Sequence, residues 1–146
     1  YQESANRMGK QPNYEKWRVG RSILITSSNS EANEILNDPN GVFSHYFLYL
    51  NTVSKLASGV SSKEINLKND LPEAIKKAKE LIIIGNKKTV TEKLISFIDK
   101  IGPFGTLLLT GHDVGNAKNL WKNSFIEMSN SIQPVLDKYI NQKYKN

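Results

Sequence analysis

Several side chains that could contact a ligand stand directly after short apolar runs of the sequence. The set is Ser27, Ser28, Asn29, Gly85, Asn86, Gly111, His112 and Asp113. His112 is the strongest candidate for catalysis, because an imidazole can donate a hydrogen bond or exchange a proton near neutral pH. Asp113 could orient the His112 ring or cap a following helix. The alternative is that His112 and Asp113 only end one element and begin the next.

Two of these positions are glycines, and glycine points to backbone geometry rather than to side-chain chemistry. Gly85 and Gly111 would allow a tight turn and a close approach of the backbone to a ligand. They are therefore expected near a cofactor or substrate, and His112 remains the one candidate for a catalytic role.

Other kinds of chemistry have no motif in this chain. The sequence has no cysteine and only two histidines, so a metal site is not expected. It contains no HExxH, GxSxG, GxGxxG or phosphate-binding GxxxxGK[ST] pattern. Hydrolase, kinase-like and dinucleotide-binding functions are therefore disfavoured.

The formal charge of +6 does not by itself indicate a nucleic-acid partner. The lysines are scattered among acids and form no stripe interleaved with aromatic residues, which is the pattern that nucleic-acid binding needs. No apolar run approaches the roughly 18 residues that cross a bilayer, and the first residues lack the apolar core of a signal peptide. We expect a cytoplasmic protein that binds neither nucleic acid nor membrane.

The elements that would position these side chains alternate between strand and helix. The apolar, β-branched runs predict strands at Trp17–Ser27, Leu81–Gly85 and Thr106–Thr110. Ser28 with Glu31 and Thr89 with Glu92 have the spacing of capping boxes that begin helices. The second helix is expected to stop at Gly102-Pro103, and a long helix from Ala117 is expected to kink at Pro134.

Three strand-helix units predict an α/β fold with parallel strands. The second and third strands are apolar without alternation, as in strands that are covered on both faces. Because three such strands would leave a hydrophobic edge open, we expect residues 1–146 to be a single partial domain. A closed (β/α)8 barrel would remove that open edge by supplying more strands, and this length provides about three strand-helix units of such a barrel.

Residues 39–80 interrupt the alternation of strands and helices, because this helix-to-strand connection is far longer than the usual 2 to 6 residues. Its aromatic composition predicts a helix over Val42–Ala57, then a looser stretch and a short helix after Asp70. The segment could be a lid over the barrel mouth, with Phe43, Tyr46 and Phe47 as its closing side chains. It could equally be a packing element or a dimer surface.

The stretch LIIIGNKKTVTEKLISFIDKIGPFGTLLLTGHDVGNAKNLWKNSFIEMSNSIQPVL resembles the end of bacterial luciferase-like, flavin-dependent monooxygenases. In that family a TVAEKL-type turn and helix lead to a GFGTLLLTGHDW-type segment and then to a helix with a W..SM pattern. Upstream, WRVGRSILITSSNSEA is similar to the family's WR..R...VA.T..EA pattern. Val114 departs from the family, which commonly has Trp there, and so does Asn86-Lys87-Lys88 in place of Ser-Pro-Glu.

The resemblance implies that the chain is the C-terminal portion of a (β/α)8 barrel of the triosephosphate-isomerase type, and it implies a monooxygenase activity. Reduced FMN from a separate flavin reductase would react with O2, and the resulting flavin hydroperoxide would oxygenate a small organic substrate in a closed, dry pocket. The family's main phosphate-binding and catalytic positions lie in an N-terminal barrel half outside this sequence. The chain is therefore expected to be inactive without that half.

Two alternatives remain open at this point. The chain could be a non-catalytic α/β binding or interaction module, whose open sheet edges would be covered by forming a homodimer. It could also belong to an oxidoreductase of the same barrel family that uses a deazaflavin as its hydride carrier.

Overall fold

The computed structural model describes residues 1–112 and 117–144, so Asp113 and Val114 lie outside the described residues. The strands are β1 (Arg18–Arg21), β2 (Ile23–Ile25), β3 (Ile83–Gly85) and β4 (Thr106–Leu109). The helices are α1 (Gln2–Arg7), α2 (Asn29–Asn37), α3 (Val42–Ala57), α4 (Leu67–Leu81), α5 (Lys87–Ile101), α6 (Lys118–Glu127) and α7 (Gln133–Tyr144). A π-helical turn, Met128–Ile132, joins α6 to α7, and short 3-10 turns lie at Tyr14–Lys16 and Ser62–Glu64.

The strand predicted at Trp17–Ser27 is broken at Ser22, and its two parts pair with different partners. β1 runs parallel to β4, and β2 runs parallel to β3. The Arg21 carbonyl accepts from the Thr110 N–H at 2.9 Å, whereas the Ser22 carbonyl accepts from the Ile83 N–H at 3.0 Å. Because successive carbonyls of an extended chain point to opposite edges, β3 and β4 lie on opposite edges of this segment.

This strand order differs from the expected barrel portion. Consecutive strands of a (β/α)8 barrel are neighbours in chain order, whereas here β3 and β4 do not pair with each other. The observed structure is a mixed α/β fold, mostly helical, with small parallel sheets. The α/β class and the parallel pairing are confirmed, and completion into a barrel becomes a proposal.

The burial of the strands also corrects one prediction. β2 and β3 are buried throughout, as their unbroken apolar sequences predict. β4 was expected to be covered on both faces, but its residues alternate between exposed and half-buried, and Leu108 is 51% exposed. In the register Leu108 lies opposite Gly20, which is also exposed. The β1–β4 sheet therefore has one open face.

The core lies on both faces of the β2–β3 pair, because successive side chains of a strand point to opposite faces. Leu24 and Ile84 pack with α2, α3, α4 and Trp121. Ile23, Ile25 and Ile83 pack with the buried side of α5 and with the segment from the π-helical turn to α7. The helices thus cover this pair from two sides. Within the described residues, no helix is both long and apolar enough to span a membrane.

The helix boundaries follow their caps, and two of them differ from the predictions. Ser28 accepts from the Glu31 N–H at 3.1 Å and begins α2 as expected. α5 begins a half-turn before Thr89, because the Asn86 side chain caps it by accepting from the Thr89 N–H at 3.0 Å. Thr89 is therefore inside the helix and does not form the predicted capping box.

The helix predicted as a short one after Asp70 is longer than expected. α4 begins at Leu67, because Asn66 accepts from the Asn69 N–H at 3.2 Å, and it runs for 15 residues. Asp70 lies in its first turn and pairs with Lys55 of α3 at 2.6 Å. This buried carboxylate ties the two helices of the 39–80 segment together.

The ends of α5 and α6 agree with the sequence. α5 ends at Gly102, whose φ of 88° favours glycine. The π-helical turn after α6 ends at Ile132, two residues before Pro134, which has no N–H to donate to the preceding turn. The predicted disturbance of the long helix is therefore present, one turn before the proline.

One buried hydrogen bond between α6 and β2 generates a stability prediction. The Ile25 N–H donates to the Ser124 Oγ at 2.8 Å, and Ser124 is fully buried. We expect Ser124→Ala to lower the free energy of unfolding by about 1–3 kcal/mol, because the Ile25 N–H would be left without a partner. The exposed Ser96→Ala should change it by less than about 0.5 kcal/mol. Urea denaturation measures both, and equal effects would contradict the importance of this bond.

Candidate functional site

The ends of β2 and β3 form one group of predicted site residues. The Thr26 N–H donates to the Gly85 carbonyl at 2.9 Å, and the Asn86 N–H donates to Asn29 Oδ1 at 3.0 Å. Gly85 has a φ of 154°, and a Cβ there would lie 2.8 Å from the Thr89 Cγ2. The predicted need for glycine is therefore real at this position, although its cause is packing against α5.

A cleft of about 740 Å³ opens beside these strand ends, and we call it the strand-end cleft. It is lined by Ile25, Thr26, Ser27, Glu31, Asn86, Lys87, Lys88, Leu120, Asn123 and Glu127. Its lining therefore includes two lysines and two carboxylates.

The charges of the strand-end cleft are largely satisfied within the protein. Hydrogen bonds from the hydroxyl and then the N–H of Ser27 lower the pKa of Glu31. A hydrogen bond from Lys87, 2.9 Å away, is the main cause that lowers the pKa of Glu127. Both carboxylates are therefore held in the charged form by hydrogen-bond donors of the protein itself.

His112 belongs to a second group, at the carboxyl end of β4. Its Nε2 lies 2.9 Å from the Ser22 Oγ, at the break between β1 and β2. The ring has three aromatic neighbours, with centroid distances of 4.6 Å to Tyr46, 5.3 Å to Phe43 and 6.0 Å to Trp121. Burial lowers the pKa of His112 from its ordinary value of 6.5, so the imidazole is neutral at pH 7.

A second cleft, of about 500 Å³, lies beside this histidine and is called the His112 pocket here. Its lining residues are Gly111, His112, Lys118, Trp121, Lys122, Phe125 and Ile126. The wall is formed mainly by Trp121 and Phe125, whose ring centroids are 5.9 Å apart. Phe125 is 40% exposed, so a flat apolar molecule could pack against this wall.

Helix α6 separates the two groups of predicted site residues. Leu120, Asn123 and Glu127 face the strand-end cleft, whereas Trp121 and Phe125 face the His112 pocket. Ser27, Ser28, Gly85 and Asn86 are therefore brought together on one flank of the helix. Gly111 and His112 lie on its other flank, and Asp113 lies outside the described residues.

The three lid candidates lie on α3, whose predicted bounds agree with the structure. Phe43 and Phe47 are buried, and Tyr46 is half-buried. Phe43 and Tyr46 reach the His112 ring, so the 39–80 segment does contact the candidate catalytic residue. A buried contact of this kind is compatible with a closed lid and with fixed packing, and the lid stays a prediction.

Two residues of the His112 surroundings were not identified as site residues from the sequence. Ser22 is the hydroxyl that holds the imidazole, and its signal was a polar residue between Arg21 and the apolar run that follows. Trp121 is buried, and its Nε1 has no hydrogen-bond partner in the part of the chain that the structure describes. Nothing in its spacing along α6 distinguishes it from an ordinary core residue.

Comparisons with known proteins find a similar structure but no similar sequence among family models or curated proteins. No protein-family model matches this chain, and no curated protein matches it either. Among solved structures, it is similar to the oxygenating constituent of 3,6-diketocamphane monooxygenase from the CAM plasmid of Pseudomonas putida, a type II Baeyer-Villiger monooxygenase in complex with FMN. The TM-score is 0.61 at 20% identity, over 92% of this chain and 37% of that one. The likeness shows a shared fold, and this chain spans little more than a third of its neighbour.

The half-buried imidazole of His112 generates a pH prediction. Because the folded-state pKa of His112 lies below its ordinary 6.5, the unfolded chain binds the proton more readily. The stability that neutral His112 contributes is complete above about pH 6.5 and is lost as the pH falls through the lower folded-state pKa. The wild type should therefore lose stability faster than His112→Gln over this window. Denaturation at a series of pH values measures this, and a difference between the two proteins that does not vary with pH would contradict it.

Proposed function

We propose that this chain is part of a flavin-dependent monooxygenase that uses reduced FMN and O2 to oxygenate a small organic substrate beside His112. The observation that carries the proposal is the His112 pocket. An aromatic wall there adjoins one neutral imidazole, which is anchored by Ser22 at the end of a parallel strand. The similarity in fold to an FMN-bound monooxygenase supports the same class of function.

The residues of the His112 pocket fit the ring of FMN well and its phosphate only weakly. The half-exposed Phe125 and the adjoining Trp121 offer an apolar surface on which an isoalloxazine ring could stack. Lys118 and Lys122 stand four residues apart on the same side of α6 and line the pocket. Both are exposed, so their attraction to a phosphate is modest and is screened by salt. When bound, reduced FMN supplies the electrons that activate oxygen.

In this proposal His112 positions the substrate by a hydrogen bond. We propose the tautomer in which the Ser22 hydroxyl, 2.9 Å from Nε2, donates to that nitrogen and the ring proton is on Nδ1. Nδ1–H can then donate to an oxygen atom of the substrate. Phe43, Tyr46 and Trp121 contact the ring and shield part of it from water, which strengthens that bond.

The proposal also includes strands from outside this sequence. The open face of the β1–β4 sheet exposes Leu108, and a further layer of structure is needed to cover it. The solved monooxygenase extends well beyond the portion that this chain matches. We therefore propose that an N-terminal barrel portion covers this face and completes the site.

Flavin binding by the chain itself tests the proposed site. We expect FMN and riboflavin to bind weakly, with FMN favoured a few-fold at low salt through Lys118 and Lys122. Phe125→Ala should weaken both ligands about threefold to tenfold, because it removes part of the stacking surface. Val135→Ala, at a similarly exposed apolar residue of α7, is the matched control. Flavin fluorescence anisotropy measures these affinities.

The outcomes of this titration separate the parts of the proposal. If neither FMN nor riboflavin binds at a flavin concentration of about 1 mM, the proposed flavin site is wrong, because this concentration exceeds the dissociation constant expected for weak binding. Equal losses in Phe125→Ala and Val135→Ala would place the flavin elsewhere on the chain. Lys118→Gln should reduce the preference for FMN over riboflavin, whereas Lys76→Gln, at an exposed lysine of α4, should leave it unchanged.

The role of His112 is tested in the assembled enzyme, with the completing barrel portion present. His112→Gln keeps a hydrogen-bond donor but moves it and removes the titration of the imidazole. We expect more hydrogen peroxide per flavin oxidised, flavin affinity within about twofold, and nearly unchanged stability. Asp113→Asn should be milder, because Asn caps a helix about as well as Asp. Product and peroxide yields in a single turnover decide this, and unchanged coupling would leave His112 with only a structural role.

A further inference from the structure

Residues 61–71, which lead from the turn after α3 into the first part of α4, bury very little surface. The structure describes every residue of this stretch, and Asp70 is its one buried residue, at 8% exposure. No apolar side chain of the stretch belongs to either core cluster or packs against one. A segment with few buried apolar contacts opens locally at a low free energy, whereas core segments open only when the whole molecule unfolds. We call residues 61–71 the strap.

One ion pair holds the strap against α3. Lys55 Nζ lies 2.6 Å from Asp70 Oδ1. Among the residues that the structure describes, no other side chain of the strap forms a hydrogen bond or ion pair with a residue outside it. The second oxygen, Asp70 Oδ2, is buried and has no hydrogen-bond partner in the same part of the chain. Because a buried carboxylate that is only half satisfied costs stability, the closed strap is only weakly favoured.

The strap ends at a proline inside helix α4. Pro72 has no N–H, so it cannot donate to the Lys68 carbonyl four residues before it, and its ring crowds that carbonyl. The first part of α4 therefore lacks one of the hydrogen bonds that would join it to the rest of the helix. At its other end the strap is connected to α3 by residues 58–60, which lie outside any helix. The strap can therefore bend at Pro72, where kinks in helices usually occur.

Helix α5 provides a matched comparison, because its first part is firmly attached. Both α4 and α5 have 15 residues, and their asparagine caps are Asn66 and Asn86. The fourth residue after the cap is Asp70 in α4 and the fully buried Val90 in α5. Each of these two residues donates its N–H to the carbonyl of its own cap, at 3.0 Å and 2.9 Å. Since α5 contains no proline, the two helices differ in the features that weaken the strap.

We propose that the strap opens independently of the rest of the chain, by breaking the Lys55–Asp70 ion pair and bending at Pro72. This identifies the part of the 39–80 segment that moves. Phe43 and Tyr46, which contact the His112 ring, lie in the first half of α3 at the core, so they stay in place when the strap opens. The inference goes beyond the proposed oxygenase function and does not depend on it.

Native-state hydrogen exchange of backbone amides, followed by NMR at rising urea concentrations below the unfolding transition, tests this opening. Relative to its rate in an unfolded chain, the Asp70 amide should exchange at least about 100-fold faster than the Val90 amide. Its exchange should depend little on urea, because a local opening exposes little surface. The Val90 amide should exchange only through unfolding of the core, with a strong dependence on urea. Equal protection of the two amides, or the same urea dependence for both, would overturn the proposal.

Two variants test the ion pair and the bending point separately. Asp70→Asn keeps the shape of the side chain but removes its charge, so the strap should open about tenfold more often. Asp137→Asn, at an exposed carboxylate of α7, is the matched control. Pro72→Ala restores a donor for the Lys68 carbonyl, so the strap should open at least about tenfold less often. Lys76→Ala places an alanine at an exposed position of the same helix and should have little effect.

The exchange of the Val90 amide in each variant reports whether the core is still folded, so a change in the strap is distinguished from general destabilisation. If opening in Asp70→Asn is as rare as in the wild type, the ion pair does not hold the strap. If opening in Pro72→Ala is as frequent as in the wild type, the strap does not bend at the proline. Either result would overturn the proposal.

Discussion

The backbone from Arg18 to Ile25 hydrogen-bonds to two strands on opposite edges, and the rest of the structure depends on this division. The carbonyls of Trp17 and Arg21 accept hydrogen bonds from Thr106 and Thr110 at the two ends of β4. The Ser22 carbonyl accepts from β3, and the Thr26 N–H donates to β3. Because both pairings are parallel, the residues that follow β3 and those that follow β4 both lie at the carboxyl end of this segment. The strand-end cleft follows from the pairing with β3, and the placement of His112 follows from the pairing with β4. Ser22 marks the transition between the two and also holds the imidazole.

The sequence predicts the local structure well where one residue decides it. Ser28 begins α2, Gly102 ends α5, and the apolar composition of Val42–Ala57 predicts α3 with the observed bounds. The predicted start of α5 was wrong because Asn86 and Thr89 are both acceptable N-caps. The choice between them depends on where β3 ends. Local patterns do not contain that information, since it is set by the pairing of Gly85 with Ile25.

Strand order and the site lay beyond sequence reasoning for a related reason. An unbroken apolar run such as TLLLT indicates a strand, but not which neighbour it pairs with or whether one of its faces stays open. The position of His112 after that run predicted a place at a strand end correctly. The same reasoning placed Ser27 and Asn86 at the same mouth, and the structure puts α6 between them and His112. A helix that packs on a strand edge cannot be foreseen from a periodic pattern alone.

The bond from the Ile25 N–H to Ser124 has a consequence for any larger assembly. It occupies the backbone donor that a longer β4, or an added strand on that edge, would use to continue the ladder past Leu109. Extension of the sheet there and docking of α6 are thus mutually exclusive at this one amide. The Ser124 hydroxyl thus takes the place that a strand carbonyl would have on this edge, so that a helix side chain ends the ladder there.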